Sequence, residues 1–429
     1  MSPHPVGHPA TRAATGPAGH PAGHDVHAPS RVDYDQRPML VFWETTRACG
    51  LSCKHCRASA TLRALPGELT HDEGVALIDQ VAAFGRPYPI LVLTGGDCLL
   101  RPDLFELIAH AQSLGIPTAL SPSVTPALTP EAIARIAASG VKAVSISLDG
   151  ALPATHDGVR GIPGHLAKTH EAIAALVAAG LTVQVNTTVM AANLDELPRI
   201  AADVIGLGAH IWEVFFLVHV GRGVAEGALD PDQHEDVCHF LYDVSHYGIT
   251  VRTVEAPFFR RVVAQRRAAE AAIAAGPADT AGGPADAGAK TANGATYAPR
   301  SALAAALNAE LVERLGPPRS RPRAQTASTR DGKGIVFVAH DGEVYPAGFL
   351  PLGLGTVREQ GLADIYRDDE RLRDVRAARF SGRCGVCEYA DLCGGSRARA
   401  YAATGDLLAE DPACGWQPRV TTVGSPATS

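Results

Sequence analysis

The sequence predicts an α/β protein built around a parallel β-sheet. Two observations support this prediction. Six runs rich in apolar and β-branched residues alternate along the chain with segments of helical period. Hydrophobic residues also make up 46% of the 429 residues, which is enough to form a sizeable buried core. Periodicity does not decide whether the sheet closes into a barrel. In both cases the loops after the C-terminal ends of the strands are the expected site of chemistry.

The predicted elements follow one another in strand–helix order. The six strands are predicted at residues 39–45, 90–96, 117–122, 141–150, 181–189 and 210–218. Helices are predicted at 68–85, from Asp103, from Thr129, at 165–179, at 194–206 and at about 231–246. The first helix has the clearest start, because Thr70 is a good N-cap residue and Glu73 stands three positions later, the spacing of a capping box.

Composition and charge narrow the class of protein. Lys and Arg (38) are outnumbered by Asp and Glu (45), so the chain lacks the basic surface that nucleic-acid binding needs. No apolar run reaches the roughly 20 residues of a membrane span, and the N-terminal segment lacks the apolar stretch of a secretion signal. We therefore expect a cytoplasmic protein with neither nucleic acid nor membrane among its partners.

The chain is predicted to divide into two ordered parts flanked by segments of biased composition. Residues 35–265 hold the predicted sheet, and residues 331–420 form a cysteine-rich second domain. Residues 266–330 are of low complexity, rich in alanine and glycine, and predict a linker that is partly helical or disordered. Residues 1–34, rich in His, Pro and Gly, and residues 421–429 are predicted to be disordered tails.

The chain has nine cysteines. Disulfides are rare in a reducing compartment, so cysteines there are expected to serve in metal ligation or catalysis. Seven of them fall into two groups. The first cysteine group is Cys49, Cys53 and Cys56, and the second cysteine group is Cys384, Cys387, Cys393 and Cys414. The two remaining cysteines, Cys98 and Cys238, stand apart and are predicted to be buried thiols that pack in the core.

The first cysteine group has the spacing C-x3-C-x2-C and comes directly after the first predicted strand. Three thiolates on one loop can hold three corners of a [4Fe–4S] cluster and leave the fourth iron open to bind a small molecule. A structural zinc site would need a fourth Cys or His nearby, and His55, between two of the cysteines, suits that geometry poorly. The second cysteine group suits either a fully ligated [4Fe–4S] cluster or tetrahedral zinc, and its spacing alone does not decide between them.

The first cysteine group, in its place after the first strand, resembles the signature of the radical S-adenosylmethionine (SAM) superfamily. The resemblance implies a partial (β/α)6 barrel and a SAM-binding [4Fe–4S] cluster on these three cysteines. It also implies an enzyme that reductively cleaves SAM to a 5′-deoxyadenosyl radical, with a flavodoxin- or ferredoxin-type protein as its reductant.

The resemblance also assigns the residues that contact SAM. They are His55, Gly95, Gly96, Asp97, Ser147 and Asn186. Residues 95–97 resemble the family's GGE/GGD element, where close backbone approach and a carboxylate receive the SAM ammonium. Ser147 and Asn186 hold positions that contact the ribose and carboxylate of SAM, and His55 holds the place of a residue near the adenine. For Ser147 and Asn186, local hydrogen bonding at strand ends is the alternative.

The second cysteine group, with the FVAHDGEVYPAGFLPLGLGTV segment before it, resembles the SPASM domain that carries auxiliary clusters in radical SAM enzymes. Ala347 and Ser396 stand where cysteines occur in the fuller seven-cysteine SPASM pattern. The resemblance therefore implies one auxiliary [4Fe–4S] cluster, held by the second cysteine group.

Four segments narrow the resemblance to the tetrapyrrole-modifying branch, which includes iron-coproporphyrin decarboxylase and denitrification-haem maturase relatives. They are WETTRACGLSCKHCRASA, LTGGDCLLRPDL, SLDGALPATHDGVRG and CGGSRARAYAATGDLLAEDPAC. The branch implies oxidative modification of a tetrapyrrole side chain in haem-related biosynthesis. Two alternatives stay open: a maturase of a ribosomally made peptide, and a non-catalytic iron–sulfur electron-transfer protein. An electron carrier would gain nothing from an iron without a protein ligand.

A propionate-bearing macrocycle needs cations beside an apolar wall. The candidates for this role are His219, Arg222, Arg260 and Arg261. For Arg260 and Arg261 the alternative is a solvated basic helix face, the ordinary role of such charge runs. No catalytic side chain is assigned from the sequence.

Overall fold

The computed structural model describes residues 33–274 and 301–418. The predicted tails, 1–34 and 421–429, lie outside these residues except for positions 33 and 34.

The strands are β1 (Leu40–Glu44), β2 (Ile90–Thr94), β3 (Thr118–Leu120), β4 (Ala143–Ser147), β5 (Val183–Val189), β6 (Ile211–Phe216), β7 (Thr250–Val254), β8 (Arg330–Asp331), β9 (Gly334–Val338), β10 (Glu343–Tyr345) and β11 (Gly355–Thr356). The α-helices are α1 (His71–Ala82), α2 (Leu104–Leu114), α3 (Pro130–Ala138), α4 (Pro153–Arg160), α5 (His165–Ala178), α6 (Leu197–Gly206), α7 (Pro231–Val244), α8 (Phe259–Ala274), α9 (Ala302–Leu315), α10 (Leu362–Asp368), α11 (Glu370–Arg376), α12 (Gly382–Gly385) and α13 (Arg397–Thr404).

The strands form one sheet in which β1 to β7 follow sequence order and each neighbouring pair is parallel. On the other side of β1 the sheet continues with β9, which is parallel to β1, and then with antiparallel β10 and β11. Within the described ranges β7 does not pair with β1. The predicted α/β class and its six strands are confirmed, and the barrel is partial.

Side chains alternate along the strands between a packed face and a more open one. In β4, Val144 and Ile146 are buried, whereas Ser145 and Ser147 are half-buried on the opposite face. This alternation is the pattern of a parallel sheet covered by helices on one side. The polar residues at the C-terminal ends of the strands therefore point to one common face, where a site can form.

The predicted start of the first helix is confirmed. The Thr70 hydroxyl accepts a hydrogen bond from the Glu73 amide at 3.3 Å, and the Glu73 carboxylate accepts one from the Thr70 amide at 2.8 Å. The elements that were not predicted include β7 and α4. The β7 sequence TVRTV is short and interrupted by Arg252, and α4 contains Gly158, a poor helix former.

Part of the segment 266–330, predicted to be a partly helical or disordered linker, is helical, and its residues 275–300 lie outside the described residues. Helix α9 begins after the N-cap Ser301, and its Leu307 and Leu311 are 3% and 1% exposed. The Glu310 carboxylate pairs with Arg199 of α6 at 2.8 Å. Leucines four residues apart give α9 an apolar face to bury. The residues around these leucines are mostly alanine, so the composition of the segment alone does not reveal the helical spacing of the leucines.

The C-terminal region is continuous with the barrel sheet, because β9 pairs with β1 from Leu40 and Ile335 to Trp43 and Val338. The boundary between residues 35–265 and residues 331–420 stays a prediction. Within the described parts of the chain, no helix is long and apolar enough to cross a membrane.

Candidate active site

The first cysteine group lies on the loop that follows β1. Cys49 and Cys53 are buried and Cys56 is half-buried, and all nine cysteines of the chain are free thiols. The Leu51 amide donates a hydrogen bond to the Cys49 sulfur at 3.4 Å, and the Ser123 hydroxyl lies 3.8 Å from the same sulfur. Burial raises the pKa of Cys49, so ligation there would displace a proton.

The end of β2 is packed against the backbone that leads into this loop. The Gly96 amide donates to the Thr46 carbonyl at 2.8 Å, and the Asp97 amide donates to the Ala48 carbonyl at 2.7 Å. A Cβ atom on Gly96 would lie 2.3 Å from the Ala48 carbonyl oxygen, so only glycine fits here. The double glycine thus fixes the position of the cysteine loop. The predicted contact of Gly95 and Gly96 with SAM stays a prediction.

The carboxylate of Asp97 is fully buried beside the cysteine loop. It accepts hydrogen bonds from the Thr125 hydroxyl at 2.6 Å and from the amides of Ser123 and Leu99 at 3.3 and 3.2 Å. Burial raises the pKa of Asp97, and these hydrogen bonds oppose the shift. The carboxylate is therefore held in one orientation, as a receptor for a cation requires.

We expect Asp97→Ala to weaken SAM binding about tenfold, the worth of one charge-assisted hydrogen bond. Iron content should not change, because Asp97 is not among the predicted cluster ligands. Isothermal titration calorimetry of SAM, with an iron assay on the same sample, measures both. The control Thr125→Val removes one partner of the carboxylate but keeps its charge, and should cost less affinity. Unchanged SAM affinity in Asp97→Ala would remove this residue from the site.

Three other predicted SAM contacts lie near the C-terminal end of β4. Ser147 is in register with Asn186 on the neighbouring strand. The Asn186 side-chain oxygen accepts a hydrogen bond from Gln184 at 2.8 Å. The His55 ring nitrogen Nε2 lies 2.9 Å from the carboxylate of Asp149, two residues beyond Ser147. His55, Ser147 and Asn186 therefore lie near the end of β4, and their contacts with SAM stay a prediction.

Arg160 is a residue of the site that the sequence reasoning missed. It ends α4, is 7% exposed, and donates to both the Cys53 sulfur, at 3.4 Å, and the Asp149 carboxylate. The sequence did carry a signal for Arg160. It lies in the HDGVRG segment that follows β4, and the loops after parallel strands are where a site is expected.

The second cysteine group lines one cavity, part of which is open to solvent. Amides of Tyr389 and Gly395 donate to the sulfurs of Cys387 and Cys393 at 3.4 and 3.5 Å. The buried Arg397 guanidinium lies 3.9 Å from the Cys384 sulfur. Such N–H groups around sulfur suit a site that holds thiolates.

Burial raises the pKa of Cys393 to about 12 and that of Cys414 to about 11. A Cβ atom on Gly395, whose φ is +66°, would lie 3.2 Å from the Cys384 sulfur. The Gly394–Gly395 turn therefore lets the chain pass close to the cysteines. Filling the cavity with a metal group would require the release of thiol protons.

The four predicted substrate cations contact protein groups in separate parts of the structure. Arg222 donates to the carbonyl oxygens of Cys53, at 2.8 Å, and of Ala60, at 3.2 Å, and so braces the first cysteine loop. The His219 ring contacts the Glu226 carbonyl at 3.3 Å in an exposed position.

Arg260 and Arg261 both lie near the second cysteine group. Arg260 donates to the carbonyls of Thr329 and Leu392. Arg261 lines the cysteine cavity, pairs with Glu235 at 2.8 and 2.5 Å and stacks over Trp416. The alternative of a solvated basic face is wrong for Arg261, which is 1% exposed. A substrate role for any of the four stays a prediction.

The sequence was compared with known protein families and curated relatives. Residues 43–204 match the Radical SAM superfamily. AdoMet-dependent heme synthase of Methanosarcina barkeri is 35% identical over 383 residues, which cover 89% of this chain and 97% of the relative. The protein of the same name from Nitratidesulfovibrio vulgaris is 36% identical over 384 residues, with 89% and 93% coverage. Pre-heme d1 synthase of Dinoroseobacter shibae is 30% identical over 391 residues, with 90% and 88% coverage.

A comparison with solved structures supports the same fold. SuiB of Streptococcus suis, solved bound to S-adenosylmethionine, matches with a TM-score of 0.60 and 12% identity over 89% of this chain and 78% of SuiB. The chain therefore belongs to the radical SAM superfamily, whose members use SAM and a [4Fe–4S] cluster, and within it to the tetrapyrrole-modifying branch.

Proposed function

We propose that this radical SAM enzyme oxidatively decarboxylates a propionate side chain of an iron-bound tetrapyrrole. The observation that carries the proposal is the extent of the likeness to AdoMet-dependent heme synthases, because the match at 35% identity covers 97% of such a relative. For each propionate, one hydrogen atom and one electron leave the substrate, carbon dioxide is released and a vinyl group remains.

The residues of the first cysteine group fit the superfamily's cluster. Three free cysteines on one loop supply three thiolates, and the Leu51 amide and the Arg160 guanidinium are positioned to donate to two of the sulfurs. When the cluster and SAM are bound, one-electron reduction supplies the carbon radical that takes the substrate hydrogen. Asp97, His55, Ser147 and Asn186 would orient SAM around the open iron.

The surroundings of the first cysteine loop suit a flat, acidic substrate. The Arg57 guanidinium, next to Cys56, lies 4.3 Å over the ring of Phe337 and 3.4 Å from the Glu44 carboxylate. Aromatic walls with a nearby cation are what a macrocycle with carboxylate side chains requires. We include Arg57 among the groups that would meet the substrate.

The second cysteine group supports one auxiliary [4Fe–4S] cluster in a SPASM-like domain. The four cysteines line one shared cavity, as the ligands of a single bound group would. A fully ligated cluster would accept the electron that the substrate loses, without binding the substrate. We further propose a flavodoxin- or ferredoxin-type reductant and a cytoplasmic location.

The test is to incubate the reduced enzyme and SAM with iron-coproporphyrin III and to follow 5′-deoxyadenosine and porphyrin mass. We expect deoxyadenosine formation to depend on the porphyrin, and the porphyrin to lose the mass of carbon dioxide and two hydrogen units per propionate. The matched control is the porphyrin tetramethyl ester, which lacks free carboxylates and should not react. Equal deoxyadenosine formation with and without porphyrin, and no carbon dioxide, would contradict the proposal and favour peptide maturation.

A further inference from the structure

A buried ion pair connects the first cysteine loop to the end of β4. The Asp149 carboxylate is 1% exposed and is contacted by both the Arg160 guanidinium and the His55 ring. It is also held by the Thr188 amide at 2.8 Å. Arg160 uses its other terminal nitrogen to donate to the Cys53 sulfur at 3.4 Å. One cation thus bridges a carboxylate and a predicted cluster ligand away from solvent.

Both members of the pair remain charged. Burial opposes ionisation of Asp149, but Arg160 and His55 outweigh it and hold the pKa of that carboxyl below its usual range. Arg160 carries a guanidinium group, which stays protonated in proteins. A charge that solvent does not screen acts strongly on its neighbours.

We propose that Arg160 is a positioning residue that holds the Cys53 sulfur for the SAM-binding cluster and raises the reduction potential of that cluster, and that Asp149 limits this effect. The inference rests on membership of the radical SAM superfamily and is independent of the tetrapyrrole substrate.

Arg160 and Asp149 should shift the reduction potential of the cluster in opposite directions. Reduction adds one electron to the cluster, so a buried cation hydrogen-bonded to a ligand sulfur stabilises the reduced form more than the oxidised form. Removing the charge of Arg160 should therefore make reduction harder. Removing the charge of Asp149 leaves Arg160 uncompensated and should make reduction easier.

The experiment is a potentiometric titration of the reconstituted protein, followed by electron paramagnetic resonance without substrate. The signal that changes when SAM is added identifies the cluster on the first cysteine group. We expect Arg160→Gln to shift the midpoint to a more negative potential and Asp149→Asn to a more positive one. Arg160→Lys keeps the charge with fewer donors and should fall between Arg160→Gln and the unmodified protein.

Lys54→Gln is the matched control, because it removes the same charge one residue from Cys53 but from an exposed side chain that solvent screens. Its shift should be smaller than that of Arg160→Gln. Shifts of the same sign in Arg160→Gln and Asp149→Asn, or shifts no larger than that of Lys54→Gln, would overturn the proposal. If Arg160→Gln takes up no iron, the midpoint potentials of Asp149→Asn and Arg160→Lys test the proposal instead. A midpoint in Asp149→Asn that is more negative than, or equal to, that of the unmodified protein contradicts the proposal.

Discussion

Replacing Cys49, Cys53 and Cys56 together by alanine is expected to abolish SAM cleavage and to halve the iron content. The anaerobically reconstituted protein should hold about eight iron atoms per chain as two cubane clusters, and the triple variant about four. The reason is that the three thiolates are the predicted protein ligands of the cluster that binds SAM. Iron analysis and chromatography of 5′-deoxyadenosine measure both effects.

The matched control is Cys238→Ala, which removes a fully buried thiol from the packed core. This variant should keep about eight iron atoms and should still cleave SAM, at a modest cost in stability. A triple variant that still cleaves SAM would show that the first cysteine group is not the site of the chemistry.

The second large effect is expected from Cys384→Ala combined with Cys393→Ala. Both cysteines line the cavity of the second cysteine group. Their loss should leave about four iron atoms per chain and preserve cleavage of SAM, because the first cysteine group is intact. Porphyrin decarboxylation should fall to background, since the electron left on the substrate has no acceptor. Mass spectrometry of the porphyrin and deoxyadenosine assays on one sample separate the two steps.

Val386→Ala is the control for that region, because Val386 lies between Cys384 and Cys387 but is 69% exposed and is not a ligand. It should keep both clusters and both activities. Full porphyrin turnover in the double cysteine variant would exclude the second cysteine group from the electron path.

Much of the fold could be predicted because each element carries a local signal. The β-branched runs of β1 to β6, the capping box at Thr70 and the N-cap at Thr129 depend on residues adjacent in sequence. Helix α9 and strand β7 were missed because their local signals are weak. Their burial depends on partners far along the chain, α6 and α7 for α9 and β6 for β7.

The candidate site shows the same division. Cysteine spacing is a local signal, and it identified the first cysteine group. The contacts of Arg160 join residues 11 and 107 positions apart in sequence, so no local pattern contains them. Arg261 was considered as a substrate cation, whereas its bidentate pairing with Glu235 is visible only in three dimensions.

Under the proposed function, the 5′-deoxyadenosyl radical formed from SAM takes a hydrogen atom from a tetrapyrrole propionate. The most direct test uses iron-coproporphyrin III carrying deuterium on the propionate methylene groups, with reduced enzyme and unlabelled SAM. We predict that the 5′-deoxyadenosine formed gains one deuterium while carbon dioxide is released. Deoxyadenosine that stays unlabelled, with the porphyrin recovered unchanged, would contradict the claim.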